Sequence, residues 1–404
     1  MEAFATYTVD VIYGRREEGL ARLWGAVLLG LSLLYRLIVY IRGRLYHYRI
    51  LRAQHLGCLV VVVGNLTVGG TGKTPVVERL ARTLHGKGRK VAILSRGYKS
   101  RKEPVYRKWI RWILHQPPRP PKVVSDGETV FCDSEEAGDE PYMLARNLPG
   151  VVVVTDKDRV KAGQFAIRQF GVDTLILDDG FQYYQLQDHL QLLLVDTTNP
   201  FGNGHLLPRG ILREPVSQMK RASYVFLTKS EESPSPELVR SLSRHREERE
   251  WVQCAHRPKF FEAIGGDGRE PLSLIEGKRV GALSGIASPE SFEGFLSDLG
   301  AREVVRFRFL DHHRFTTGEL DRIFARAREQ QLDLLVATEK DAVRIDPGYR
   351  PSCPFYYLRV EIHMSAGSEN FEAAVRRICF PRELGDADRW KSGLTRPPFP
   401  EAKF

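Results

Sequence analysis

Residues 64–74 read Gly-Asn-Leu-Thr-Val-Gly-Gly-Thr-Gly-Lys-Thr, behind a β-branched run at 59–63 and ahead of helical spacing at 76–84. Strand, glycine loop and helix in that order make a phosphate cradle. Glycines let consecutive backbone N–H groups curl around phosphate oxygens, and the start of the helix adds positive potential. A lysine at position 73 can reach β and γ phosphates, and the hydroxyl at position 74 can bind Mg²⁺. Thr67, Val68, Gly69, Gly70, Thr71, Gly72, Lys73 and Thr74 are therefore the expected nucleotide-binding residues. Thr67 stands where the eight-residue P-loop pattern has its first glycine, so the match is incomplete there. The bland alternative is a glycine-rich turn.

Such a cradle needs a carboxylate at the end of a neighbouring strand to complete a magnesium shell. The apolar run 174–177 ends in Asp178 and Asp179, which supply it. A second acidic stretch lies at 126–140, where Asp126, Glu128, Asp133, Glu135, Glu136, Asp139 and Glu140 precede helical spacing at 142–147. A carboxylate in the turn 138–141, Gly-Asp-Glu-Pro, is either a helix cap or a base aimed at the phosphate site.

Charge and hydropathy point to a surface that these groups must reach. Residues 96–122 carry nine Lys or Arg against the single acid Glu103. Tyr98, Tyr106, Trp109, Trp112 and several aliphatic residues interleave with them, a mixture suited to an anionic bilayer. Single-stranded nucleic acid uses the same residue types, but no nucleic-acid module accompanies them, so no nucleic-acid partner is expected. A solvated basic loop is the other reading. Residues 24–41 form an eighteen-residue apolar run broken only by Arg36, at the short edge of a membrane span. Flanking Arg and Tyr favour a helix seated in one leaflet over a true span, with a buried domain helix as the remaining reading. Because it precedes the phosphate-loop strand, the run reads as an anchor separate from the catalytic core.

The 404 residues are 42% hydrophobic and 27% charged, which excludes both a disordered chain and a bundle of membrane spans. The net charge of +10 favours an anionic partner. Five cysteines stand singly, which argues against a disulfide framework or a paired-cysteine zinc site and fits a reducing cytoplasm. The first 20 residues carry Asp10, Arg15, Arg16, Glu17 and Glu18 rather than a signal-peptide pattern.

Strand-like runs at 59–63, 91–94, 151–154, 174–177, 191–195 and 223–227 alternate with helical or loop stretches and predict a doubly wound, P-loop NTPase-like α/β sheet. A second, smaller α/β domain is expected from strands at 278–283, 303–307 and 334–337 with helices at 289–299 and 317–330. The expected division is a membrane-associated helical segment at 1–50, a kinase core at 51–250, a linker at 251–275, the smaller domain at 276–364 and a tail at 365–404 with no readable role.

The motifs at 61–75, 94–101, 137–146 (AGDEPYMLAR), 155–160, 176–182, 207–215 (LPRGILREP), 283–292, 311–315 (DHHRF) and 337–344 (ATEKDAVR) together resemble the tetraacyldisaccharide 4'-kinase family. The Thr67 departure is part of that family's pattern. The resemblance implies transfer of the ATP γ-phosphoryl group to the 4'-hydroxyl of a lipid A disaccharide 1-phosphate, with ATP and Mg²⁺ as cofactors. It places the protein, peripheral or monotopic, at the cytoplasmic face of the bacterial inner membrane and leaves its oligomeric state open. It also implies a catalytic dyad of Asp139 and His312, metal ligation by Thr74, Asp178, Asp179 and Glu214, and substrate contacts from Tyr98, Arg159, Arg209 and Arg213. His313 competes with His312 for the dyad, and the dyad is expected to meet across a cleft between the two domains. The rival function is a GTP-dependent switch or metallochaperone-type NTPase, in which Thr228, Lys229, Ser230 and Glu231 would be a degraded guanine-recognition motif carrying Glu where such proteins have Asp.

Overall fold

The computed structural model describes residues 2–16, 18–97, 114, 119–187, 190–230, 234–244, 251–266 and 268–379. The strands are β1 (Leu59–Asn65), β2 (Val91–Ser95), β3 (Lys122–Ser125), β4 (Val152–Thr155), β5 (Thr174–Asp178), β6 (Leu190–Asp196), β7 (Tyr224–Thr228), β8 (Trp251–Ala263), β9 (Arg269–Glu270), β10 (Arg279–Ser284), β11 (Glu303–Arg308), β12 (Leu334–Thr338) and β13 (Phe355–Ala366). The chain divides into two compact units. The first comprises Met1–Arg96, Asp158–Ala255 and Met364–Phe404, and the second Gly97–Lys157 and His256–His363.

In the first unit a parallel sheet runs in the order β7-β6-β1-β5-β2. Its strands are continuous aliphatic runs, as expected where helices cover both faces, and Val61, Val63, Ile176 and Leu193 are almost wholly buried. Helix Lys73–Gly86 buries Val76, Val77, Leu80, Ala81 and Leu84, the face that a 3.6-residue period brings together. It packs against β1 and β5. Because β1 and β5 are parallel with Val63 opposite Asp178, the phosphate loop and the acidic strand end leave the sheet at the same edge.

Helix Gly19–His47 is long and apolar enough to cross a membrane by length and composition. It is not a buried domain helix: Leu20, Leu23, Leu31, Leu34, Leu37 and Ile38 are exposed, and only Ala21, Leu28 and Ser32 are buried. Its inner side is polar in places. Ser32 Oγ donates to Leu206 O at 2.9 Å, Tyr35 OH to Arg213 O at 3.0 Å, and Arg42 Nη2 to Gln182 O at 2.9 Å. The segment expected to be a separate anchor is thus bonded to two loops that leave the sheet, because its apolar run has a polar residue wherever it meets them.

The second unit is built on β11-β10-β12-β13-β8, with β10, β11, β12 and β13 parallel and β9 antiparallel to β8. Phe324, Leu335, Phe355 and Tyr357 lie in one core cluster and Phe261, Phe292, Leu296 and Leu358 in another. The antiparallel pair β3–β4 and helix Asp139–Asn147 belong to this unit, and that helix also meets the short helix Glu339–Ala342.

The division differs from the expected one in two places. Residues 97–157 group with 256–363 rather than with the phosphate loop. The segment expected as a linker holds β8, whose first residues pair with β7, Trp251 opposite Val225, and whose remainder belongs to the second unit. Extended chain was legible there, but not its pairing. The expected tail also contains structure: helix Ser368–Cys379 packs on helix Lys73–Gly86 and buries Phe371, Ala374 and Val375. Residues 380–404 lie outside the described residues.

Candidate active site

The phosphate loop is assembled by its own side chains. Gly72 caps helix Lys73–Gly86 with φ of 72°, a left-handed conformation that costs a residue with a Cβ about 1–2 kcal/mol. Gly64 is required for a different reason, since a Cβ there would sit 2.7 Å from the backbone nitrogen of Phe181. The buried Asn65 donates to Thr67 Oγ1 at 3.2 Å and accepts from Lys73 Nζ at 3.2 Å and Arg213 Nη2 at 2.9 Å. Val68 N donates to Ile211 O, and Thr71 O accepts from Thr228 Oγ1 at 3.0 Å. Gly69 and Gly70 have open space around them, and Thr74 is half-buried in the first helical turn.

Asp179 joins this network from the end of β5. Its carboxylate lies 3.3 Å from Lys73 Nζ and 2.9 Å from Arg213 Nη1. Burial alone would raise its pKa, but Lys73 and Arg213 outweigh it and hold the group at about 2. Its φ of 54° is a strained value for a non-glycine residue at a strand end. Asp178 is buried with Ser95 Oγ at 3.4 Å, and Thr71 Oγ1 is buried with no hydrogen-bond partner among the described residues.

The other residues expected at this site are placed as follows. Arg213 is fastened to the loop: besides Asn65 and Asp179 it donates to Thr67 O and Gln182 Oε1. Arg159, at the start of helix Arg159–Phe170, is buried near Asp178 and Tyr183. Burial pulls its pKa down while Asp178 opposes the shift. Arg209 faces the N-terminal helices, with Nη1 donating to Val11 O, and lines a cavity with Arg16, Arg22 and His205. Tyr98 lies outside the described residues, as does most of the basic segment 96–122.

Glu214, expected among the metal ligands, is bonded to Tyr184 and Arg221. It is 2% exposed, Oε1 accepts from Tyr184 OH at 2.6 Å, and Oε2 pairs with Arg221. Arg221 is itself sandwiched between the Phe181 and Tyr184 rings, 4.3 and 4.5 Å from their centroids. A carboxylate paired with a buried cation and a phenol helps to hold the loop after Arg213, and each of its oxygens keeps a second lone pair.

In the second unit, Asp139 and His312 are brought together. Asp139 Oδ2 lies 2.8 Å from His312 Nδ1 and accepts from Arg344 Nε at 2.9 Å, and Arg314 Nη2 approaches Oδ1 at 3.6 Å. Asp139 is 5% exposed. Burial alone would raise its pKa, but the His312 hydrogen bond and the Arg344 charge prevail and lower it, so it is ionised at neutral pH. His312 has φ of 65° and donates its N–H to Gly285 O at 3.1 Å, which aims the ring at Asp139 rather than along the chain. His313 turns the other way. Its ring stacks on Phe309 at 4.9 Å and meets Phe315 edge-on, with Glu319 beyond. His312, not His313, is the partner of Asp139, and both dyad residues belong to one unit rather than facing each other between two.

Residues overlooked from sequence complete this centre. Arg344, with a fully buried side chain, also bonds Gly285 O at 3.0 Å and Asp341 Oδ1 at 2.9 Å. Asp341 accepts from Thr338 Oγ1 and Gly285 N. Lys340 Nζ lies 3.3 Å from His312 Nε2 and 2.9 Å from Glu140 Oε1. The signal was there: Lys340 and Arg344 are four apart just after an apolar strand, hence on one side of a helical turn. Gly285, His312 and Asp341 all follow the C-terminal ends of parallel strands, where α/β sheets bind ligands.

The rival guanine-recognition residues are used otherwise. Thr228 supports the phosphate loop, Lys229 pairs with Asp196 at 2.7 Å, and Ser230 is buried beside Gln253. Glu231 lies outside the described residues.

Comparison with known proteins agrees with this layout. The family model described as tetraacyldisaccharide-1-P 4'-kinase matches residues 24–379. The tetraacyldisaccharide 4'-kinase of Anaeromyxobacter dehalogenans strain 2CP-C is 40% identical over 374 residues, covering 91% of this chain and 94% of its own. That of Syntrophus aciditrophicus is 36% identical over 361 residues, covering 85% and 90%. The crystal structure of the Aquifex aeolicus enzyme in complex with ATP superposes with a TM-score of 0.69 at 29% identity, covering 88% of this chain and 99% of that one. A match that spans both units, the phosphate loop and the Asp139–His312 pair leaves one assignment: the chain belongs to the tetraacyldisaccharide-1-P 4'-kinase family.

Proposed function

We propose that the protein transfers the γ-phosphoryl group of ATP to the 4'-hydroxyl of a tetraacyldisaccharide 1-phosphate. The observation that carries this reading is the 2.8 Å contact between an ionised, buried Asp139 and His312, in a chain that also holds an intact phosphate loop. A phosphate loop alone serves many nucleotide hydrolases. An acid–imidazole pair adds an acceptor for the proton of a substrate hydroxyl.

The loop 67–74 would wrap the ATP phosphates, with Lys73 and Arg213 as cations at the β and γ positions. The orphaned Thr71 hydroxyl fits a phosphate oxygen as its missing partner. Thr74, Asp178, Asp179 and Glu214 offer the hard oxygen donors Mg²⁺ prefers. These donors would hold an ion that shares the nucleotide's phosphates. When bound, Mg²⁺ would neutralise phosphate charge. Arg159, beside Asp178, would act on the transferred phosphate, and Arg209, which bonds Val11 O, on the lipid substrate. For the acceptor, Asp139 would take the 4'-hydroxyl proton at Oδ1 as the hydroxyl oxygen bonds to γ-phosphorus and the bond from γ-phosphorus to the bridging oxygen breaks, releasing ADP, while His312 and Arg344 hold Oδ2. The exposed apolar side of helix Gly19–His47 supports seating at a membrane, which we read as the cytoplasmic face of the inner membrane.

The test is direct. Purified full-length protein with γ-labelled ATP, Mg²⁺ and tetraacyldisaccharide 1-phosphate in detergent micelles is expected to yield labelled lipid, with ATP preferred over GTP. Folded protein that hydrolyses ATP yet never labels the lipid would overturn the reading.

A further inference from the structure

We propose that the cavity walled by the end of helix Glu2–Ile12, the start of helix Gly19–His47 and the loop 203–209 is a binding site for a phosphate group carried on a lipid, held by Arg16, Arg22 and Arg209. This deepens the lipid reading given above, and its vesicle test needs no kinase activity.

The walls are fixed by contacts of their own, all within the first unit. Val11, Ala21 and Leu28 pack together, and Trp24 Nε1 donates to Thr8 Oγ1 at 3.2 Å, so the two helices are joined. Asn203 Nδ2 donates to Ile12 O and to Arg209 O, both at 2.9 Å, which ties the loop to the end of the first helix. Gly14, with φ of 69°, turns the chain between the helices and leaves Arg16 on the rim. The cavity measures about 390 Å³, within the range of small-ligand sites. Gly25 keeps it open. A glycine inside a helix weakens it relative to alanine, yet a Cβ here would meet nothing closer than Arg209 Nε and Val11 Cγ1 at 3.9 Å. A larger side chain would fill the space beside Arg209.

The lining has the chemistry of an anion site on one side and of a lipid on the other. Three guanidinium groups and His205 line the cavity, with no Asp or Glu among the described residues that do so. Asp10 lies 3.3 Å from Arg16 but is shared with Arg15 at 3.7 Å, so one carboxylate serves two cations. Arg209 Nη1 donates to a neutral backbone carbonyl, Val11 O at 3.4 Å, which leaves its charge uncancelled there. Guanidinium forks match phosphate oxygens. The facing rim is apolar: Ala26 and Leu29 are exposed, as is Leu33 one turn further along the same helix face. A free phosphate ion has no use for that rim, whereas a lipid does. Cations at the end of an apolar run also lie at the depth of headgroup phosphates. Two lipids present such a phosphate, a bilayer phospholipid and the disaccharide with its 1-phosphate. Five of the ten lining residues precede residue 24, so half of the wall lies ahead of the region shared with the family.

The test pairs a charge-neutral plug with charge removal. Gly25→Leu fills the cavity and changes no charge, Arg209→Gln removes one lining cation, and Arg15→Gln removes a neighbouring cation that does not line it. Full-length proteins are floated with phosphatidylcholine vesicles, with and without phosphatidylglycerol, and KM for tetraacyldisaccharide 1-phosphate is measured in nonionic micelles free of phospholipid. Gly25→Leu and Arg209→Gln are each expected to weaken one of these two interactions by about tenfold or more, the loss of a charge-assisted hydrogen bond. Arg15→Gln is expected to cost at most about fivefold, the diffuse contribution of one surface charge. Loss confined to phosphatidylglycerol vesicles identifies the phosphate as that of a bilayer phospholipid, and loss confined to KM identifies it as the substrate's own. Equal losses in Arg15→Gln and Arg209→Gln with none in Gly25→Leu would overturn the proposal in favour of diffuse surface attraction. Unchanged flotation and unchanged KM in both cavity variants would overturn it outright. If Gly25→Leu alters the thermal unfolding profile, Arg209→Gln set against Arg15→Gln still decides. A wild type that floats in this pattern yet never labels the lipid would count against the kinase reading alone.

Discussion

Asp139 and Asp179 are both held ionised against burial, but by neighbours of different kinds. Asp179 sits between two permanent cations. Its depressed pKa of about 2 means its ion pairs are complete above the ordinary carboxylate value near 3.9 and are lost only as pH falls toward about 2. Asp179→Asn should therefore lower kcat/KM by a constant factor from pH 5 to about 9, measured as parallel profiles, whereas a shifted limb would mean Asp179 titrates in that range. Asp139 owes part of its ionisation to His312, so the two should behave as one unit. Asp139→Ala and His312→Ala are each expected to reduce kcat by about 10² to 10⁴, with the double variant little worse than the poorer single. Multiplicative losses in steady-state assays would separate them. The dyad was legible because each member stood in a distinctive motif. The partners of Glu214 were not legible, because the approach of Tyr184 and Arg221 depends on tertiary packing that residue type does not reveal.

At the scale of elements, helix Gly19–His47 carries the sharpest expectation. Ser32, Tyr35 and Arg42 tie it to the loops bearing Leu206, Arg213 and Gln182, and Gln182 donates in turn to Asn65 O. Removing residues 1–44 should then impair transfer even on detergent-dispersed substrate, whereas removing 1–16, ahead of this helix, should impair it far less. Tyr35→Phe deletes one hydrogen bond, worth about 0.5–1.5 kcal/mol, and should lower kcat/KM by at most about tenfold without changing vesicle flotation. A 1–44 deletion as active as full-length protein in micelles would show that the helix is only a tether. Most strands were legible to within two residues, since parallel strands buried on both faces leave unbroken aliphatic runs such as 60–63 and 175–177. The extended chain of β8 was legible but not its pairing, because Trp251–Ala263 mixes charged and apolar residues and its place depends on distant partners.

At the scale of the whole molecule, the interleaving of the chain was the least legible property. Nothing in residues 97–157 marks them as partners of 256–363, because the selection is made by contacts such as Asp139 with Arg344, 205 positions apart. Between its two units the chain changes membership four times, at 96/97, 157/158, 255/256 and 363/364. This has a temporal side. The ribosome releases β1 early, yet the sheet built around it lacks the helix bearing Phe371 until roughly 300 more residues have been made, about 15–60 s at ordinary elongation rates. During that interval the apolar surface awaiting Phe371, Ala374 and Val375 is open to the cytosol, and helix Gly19–His47 has already emerged ahead of it. Early capture of that helix by a bilayer would keep the nascent chain away from its neighbours on the same message while its last piece is still being translated.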